Sequence, residues 1–155
     1  SQRLRETMIV PLAEKSAHLM EKVVLTYGTF DLFHIGHLSL LQRLRRLGDT
    51  LIVGVTTDEF NAHRGKASCT PYSERIQIVE SIRYVDRVIA MERSDQKADD
   101  IWRYKVTILG MGSDWTGQLD ALRSLCEIVY LPRTEGISSS RIRDALCAGN
   151  GLPPR

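Results

Sequence analysis

Two histidines three residues apart, His34 and His37, flank Gly36 in the run Tyr27-Gly28-Thr29-Phe30-Asp31-Leu32-Phe33-His34-Ile35-Gly36-His37. At that spacing two imidazoles can point the same way. Together they can donate hydrogen bonds to a phosphate as it becomes five-coordinate in phosphoryl or nucleotidyl transfer. Gly28 permits a tight turn and close approach of backbone to a ligand. Gly36 lets a helix start pass near a phosphate, which a helix N-terminus already favours. A metal reading of the pair lacks a third ligand at any evident spacing.

These residues need a scaffold that holds the run at an edge. From Val23 onward, short β-branched runs alternate with longer helical stretches, the signature of βαβ units around a parallel sheet. Five strands read out at 23–27, 50–56, 87–90, 106–109 and 128–131, each largely apolar, as a strand covered on both faces should be. Helices are expected at 37–47, with Leu38, Leu41 and Leu44 on one stripe and Gly48 as C-cap, and at 73–81, 95–104, 119–126 and 140–148. The fold class is α/β, a Rossmann-like, doubly wound, five-stranded parallel sheet with helices on both faces. Ligands of such a sheet sit beyond the carboxyl ends of the strands, where strand order reverses. The histidine run leaves the first strand and enters the first helix, so it falls at that edge.

The 155 residues suffice for one domain and one site. Residues 1–22 mix charge and apolar residues around Pro11 and read as an N-terminal extension; 23–148 form the domain; 149–155 carry two glycines and two prolines and read as a tail or linker. With a first residue that is Ser and not Met, the sequence is also compatible with a domain fused to another within a longer polypeptide. Lys and Arg number 21 against 19 Asp and Glu, a net charge of +2, which gives no general field for nucleic acid or membrane, so anions must be bound locally. Cys69, Cys126 and Cys147 are odd in number and show neither CxxC spacing nor clustered histidines, which indicates neither a disulfide framework nor a zinc site and fits a reducing cytoplasm. No apolar run approaches the roughly 20 residues of a membrane span. A dehydrogenase is disfavoured because no GxGxxG follows the first strand and no acidic residue ends the second.

The run GTFDLFHIGH resembles the HxGH signature of the cytidylyltransferases, within a superfamily that also contains ATP-using adenylyltransferases. Further motifs follow in the family's order from about Val23 to Arg143, and YLPRTEGIS resembles its glycerol-3-phosphate branch in particular. The resemblance implies transfer of CMP from CTP, with Mg2+, to a small phosphorylated alcohol such as glycerol 3-phosphate. Phosphoethanolamine, phosphocholine or a phosphonate would be alternative acceptors, FAD synthase-type chemistry another reaction, and a non-catalytic nucleotide-binding module a third reading. It also implies a homodimer.

By the same likeness His34, His37, Lys66 and Arg133 are the expected catalytic residues. Gly28, Thr29, Phe30, Asp31, Gly36, Arg83, Gly112, Asp114 and Ser138, Ser139 and Ser140 are expected at the nucleotide, and Arg64, Arg75 and Trp115 at the acceptor. Triphosphate binding in a nearly neutral protein needs a few well-placed cations. A carboxylate such as Asp114 suits sugar or glycerol hydroxyls, and the Trp115 indole supplies a flat apolar wall. Three hydroxyls at the start of the last helix can cap it while its free N–H groups face phosphate oxygens. Ser113 stands where the family pattern M-G-D-D-W-x-G has its first Asp, a lost charge that would alter what the acceptor pocket tolerates.

Overall fold

The computed structural model describes residues 20–133 and 138–148. The extension up to residue 19 and the tail from residue 149 therefore lie outside the described residues.

Five strands, β1 (Val23–Gly28), β2 (Thr50–Thr56), β3 (Arg87–Met91), β4 (Ile108–Gly112) and β5 (Glu127–Leu131), form one sheet in the order β3-β2-β1-β4-β5. All pairings are parallel, with Val24 opposite both Leu51 and Ile108. Strand order therefore reverses between β1 and β4, as the βα rhythm predicts, and this creates a crevice at their carboxyl ends. Helices α1 (Ile35–Arg45), α2 (Asp58–His63), α3 (Tyr72–Glu80), α4 (Lys97–Arg103) and α5 (Ser139–Ala148) surround it.

Alternation along β1 feeds two cores. Val23, Leu25 and Tyr27 pack with Phe60 of α2, Ile101 of α4 and Leu119. Val24 packs on the other face with Leu41 and Leu44 of α1 and Val79 of α3. Helices thus cover both faces, and the central strands are apolar throughout because each side chain meets one core or the other.

Several boundaries differ from the periodicity. Helix α1 begins two residues early, because His34 itself is its N-cap. It ends at a C-cap on Arg46 and not on Gly48. Gly48 answers a different need: a Cβ there would lie 2.6 Å from the Lys22 carbonyl oxygen. The expected helix at 119–126 is a 3-10 turn, Asp120–Ser124. Its apolar residues Leu119, Leu122 and Leu125 recur every third position, which is the 3-10 period, and Leu122 N–H bonds the Leu119 carbonyl at 2.9 Å. Strand β4 starts two residues later than expected. Val106 is buried but donates to the Ile101 carbonyl, and Thr107 N–H meets the Val23 carbonyl ahead of the ladder. The region 95–104 opens as a 3-10 turn, Ser94–Gln96, before α4 begins. Helix α2 was not expected at all, although Thr57 caps it through its hydroxyl and Asp58 and Glu59 occupy its first turn.

Candidate active site

The turn from β1 to α1 fixes both imidazoles through the helix it opens. His34 Nδ1 accepts the Gly36 N–H at 3.0 Å, and His37 Nδ1 accepts the His34 N–H at 3.2 Å. The two rings are stacked, centroids 3.9 Å apart. Because each Nδ1 is spent as an acceptor, each neutral ring must carry its proton on Nε2. His34 Nε2 is buried without a protein partner, and both residues line the cleft. Burial, and secondarily the Arg133 guanidinium, lowers the His34 pKa. Burial lowers that of His37 to about 4, the neighbouring His34 adding to the effect while Asp31 opposes it. At neutral pH the pair is therefore two uncharged Nε2–H donors. Capping, which alone would explain a histidine here, and presentation of a donor use opposite edges of the same ring.

Phe30 and Leu32 hold left-handed backbone, φ 53° and 48°, on either side of Asp31. Non-glycine residues reach that region at a cost of order 1 kcal/mol or more, so the turn is held by its surroundings.

The cleft runs along the carboxyl edge as two adjoining cavities of about 240 and 250 Å3. The first lies between α1 and α5 and is lined by His34, Gly36, His37, Gly112, Asp114, Trp115, Arg133 and Ser138, Ser139 and Ser140. Ser138 is the N-cap of α5, its hydroxyl accepting the Arg141 N–H at 3.1 Å. Ser139 donates its hydroxyl to the Asp31 carbonyl at 2.5 Å. Two of the three hydroxyls are thus structural, and the helix start offers its free N–H groups and the exposed Ser140. Arg133 Nε pairs with the Asp114 carboxylate at 2.9 Å across the mouth of the cleft. Ser113 belongs to the 3-10 turn Ser113–Trp115, where its carbonyl accepts Thr116 N–H and hydroxyl.

The second cavity shares Tyr27, Met111, Asp114, Trp115 and Arg133 with the first and adds Gly28, Thr29, Arg64, Lys66 and Lys97. Lys97 is only 9% exposed. Its ammonium lies 5.4 Å from the centroid of Tyr27 and 5.9 Å from that of Trp115 and donates to the Ser94 carbonyl at 3.2 Å. Burial pushes its pKa down, Arg64 adds to this, and Asp100 opposes it. Asp100 also accepts from Tyr27 Oη at 2.6 Å and from Gln96 Nε2 at 2.8 Å. Arg64 stacks on Phe60, and burial likewise lowers its pKa. Sequence reading missed Lys97, which sits among the charged residues of SDQKADD; its single signal is contact with the cleft, a matter of tertiary position.

Four expected site residues stand elsewhere. Arg75 has no exposed surface, and its guanidinium donates to the carbonyls of Thr29, Thr56 and Thr70 and to the Asp58 carboxylate, so it fastens loops together and does not line the cleft. Arg83 precedes β3, hence lies at the amino edge of the sheet, exposed beside the Tyr84 ring. Phe30 is a core residue beneath His37, and a Cβ on Gly28 would meet its ring at 2.8 Å, so Gly28 gives room to Phe30 as well as bordering the second cavity. Asp31, 3% exposed, bonds neither histidine nor open space: its carboxylate accepts the N–H groups of Cys69 and Thr70 and the Arg143 guanidinium. Burial alone would raise its pKa, but those three donors outweigh it and hold the carboxyl below the usual range. Among the described residues no three His, Cys, Asp or Glu side chains gather as metal ligands.

A profile described as Cytidylyltransferase-like matches residues 25–145. The chain is 49% identical over 125 residues to the glycerol-3-phosphate cytidylyltransferase of Bacillus subtilis (strain 168), covering 81% of this chain and 97% of that protein. It is 50% identical over 125 residues to the protein of the same name from Staphylococcus aureus (strain NCTC 8325 / PS 47), covering 81% and 95%. Among solved structures, the lipopolysaccharide core biosynthesis protein from Thermoplasma volcanium GSS1 has the same fold, with TM-score 0.67 and 24% identity over 74% of this chain and 99% of that one. A crevice with paired imidazoles at the β1 turn and a serine-rich helix start facing them, on this sheet and with these relatives, belongs to one group: the chain is a member of the cytidylyltransferase-like family.

Proposed function

We propose that this chain transfers CMP from CTP to glycerol 3-phosphate, giving CDP-glycerol and pyrophosphate. The observation that carries this reading is the stacked pair of neutral imidazoles, each with Nδ1 spent as an acceptor and Nε2 left to donate, lining a cleft with cations at both ends. Near-half identity to two relatives named glycerol-3-phosphate cytidylyltransferase supports the acceptor.

In this mechanism an oxygen of the acceptor phosphate forms a bond to the α-phosphorus of CTP. The bond to the β-phosphate breaks in line, and pyrophosphate leaves with the electron pair. A phosphate monoester is largely dianionic at neutral pH, so no general base is required. His34 and His37 donate to the α-phosphate as its charge redistributes. Arg133 and the first N–H groups of α5 hold the leaving pyrophosphate. Arg64, Lys66 and Lys97 hold the acceptor's phosphate in the second cavity, which meets the first at Tyr27 and Trp115. Mg2+ enters with the triphosphate as part of the substrate.

We further propose a cytoplasmic homodimer. Among the described residues no helix is long and apolar enough to cross a membrane, and Ile35 and Ile78, on the two helices that cover one face of the sheet, expose apolar surface for a second copy. Light scattering on the purified chain tests the dimer. Mass spectrometry of reactions pairing CTP or ATP with glycerol 3-phosphate, phosphoethanolamine, phosphocholine or FMN tests the reaction. CDP-glycerol from the first pairing is expected, and turnover confined to any other pairing would overturn the assignment.

A further inference from the structure

Asp31 is the point where three anion-gripping segments meet. Its backbone belongs to the histidine turn, three residues before His34. Its Oδ1 accepts the Thr70 N–H at 2.9 Å, and its Oδ2 accepts the Cys69 N–H at 2.8 Å, which anchors the loop that carries Arg64 and Lys66. The same Oδ2 accepts Arg143 Nη2 at 2.7 Å, and its carbonyl accepts the Ser139 hydroxyl, which anchors α5. Ser139 and Arg143 are four apart on α5 and therefore share the face that meets Asp31. Arg143 closes the same joint from its side, for its guanidinium reaches both Asp31 in the turn and the Cys69 side chain in the loop.

We propose that Asp31 and Arg143 are positioning residues: their ion pair sets the separation between the histidine donors and the α5 helix start, so that both grip one triphosphate at once. The turn around Asp31 needs such fastening, since Phe30 and Leu32 sit in left-handed backbone that no glycine relieves. Arg143 is half-buried and belongs to neither hydrophobic core, so its removal loosens the joint without opening one. Misplacement of donors by about 1 Å can cost on the order of a hundredfold in rate.

The inference rests on the proposed reaction, and two kinds of readout keep them apart. Arg143→Met should raise KM for CTP at least about tenfold and lower kcat, while its melting temperature stays within about 3 °C of the unaltered protein. Arg143→Lys should recover part of that loss. The double variant Asp31→Asn with Arg143→Met should lose less than the sum of the two single losses, since the ion pair is counted in both; strictly additive losses would overturn the coupling. If Asp31→Asn does not fold, the two Arg143 variants still decide. Independently of turnover, hydrogen exchange at the Cys69 and Thr70 amides should quicken at least about tenfold in Arg143→Met. Unchanged exchange, or unchanged KM and kcat in that variant, overturns the role given to Arg143. Normal nucleotide transfer with an acceptor other than glycerol 3-phosphate would sink the assigned reaction and leave this joint in force.

Discussion

His34 and His37 each divide their ring between two tasks, with Nδ1 closing the helix start and the rest of the ring, Nε2 free of a backbone partner, lining the cleft. The tasks can be separated by substitution. Asn is an equally good N-cap, so His34→Asn should keep the unfolding free energy within about 1 kcal/mol of the original while lowering kcat about a hundredfold or more through loss of one transition-state donor. Denaturant melts and steady-state rates on the same preparation check both halves; near-normal turnover would count against the donor role. His37 also makes the fold acid-sensitive. The unfolded chain binds a proton near pH 6.5 and the folded one near pH 4, so acid favours unfolding between those values. The loss is absent above about pH 6.5 and grows to at most about 3 kcal/mol by pH 4. Urea midpoints should accordingly fall across that window, and fall less steeply in His37→Gln. At this scale the sequence discloses the imidazoles and the hydroxyl run, because their types and spacing are local. It does not disclose Lys97, nor that Arg75 and Asp31 are spent on carbonyls and amides, because those bonds join positions up to 112 residues apart.

Helix α2 and the loop behind it form the element that brings cations to the cleft, and Arg75 is its rivet. Replacing Arg75 by Met leaves three carbonyls and Asp58 without their buried donor and should cost about 3 kcal/mol or more of stability. An acceptor ligand would behave otherwise, with unaltered stability and a raised KM for glycerol 3-phosphate, so calorimetric unfolding of Arg75→Met separates the two. Elements were legible where hydrophobic period is strong, as in α1 with Leu41 and Leu44. They were misread where a three-residue apolar repeat passes for a 3.6-residue one, as at Leu119, Leu122 and Leu125. The capping signal of α2, Thr57 followed by two acids, was present in the sequence; a helix of six residues gives too short a stripe to register.

For the whole molecule, the order β3-β2-β1-β4-β5 makes a single crevice, and the cleft occupies it. Nucleotide bound there bridges the two halves of the sheet and should stabilise the fold by mass action, about 2.7 kcal/mol at a hundredfold excess over Kd. A thermal-shift titration with CTP should therefore raise the melting temperature, and Arg133→Ala should abolish most of the rise while leaving the ligand-free value nearly unchanged, because its partner Asp114 is half exposed. An unaltered CTP response in that variant would remove Arg133 from the nucleotide site. The crevice itself was legible from the βα rhythm alone, since topology follows from element order; its division into two chambers was not, since that depends on where Tyr27 and Trp115 come to rest.

Tyr27 floors both chambers, and its hydroxyl is tethered to Asp100. Donor and acceptor preferences consequently cannot be tuned separately at this ring: widening one compartment reshapes its neighbour. Anyone retargeting the enzyme to a bulkier alcohol should begin at Met91 or Thr56, which border the second compartment without touching the first.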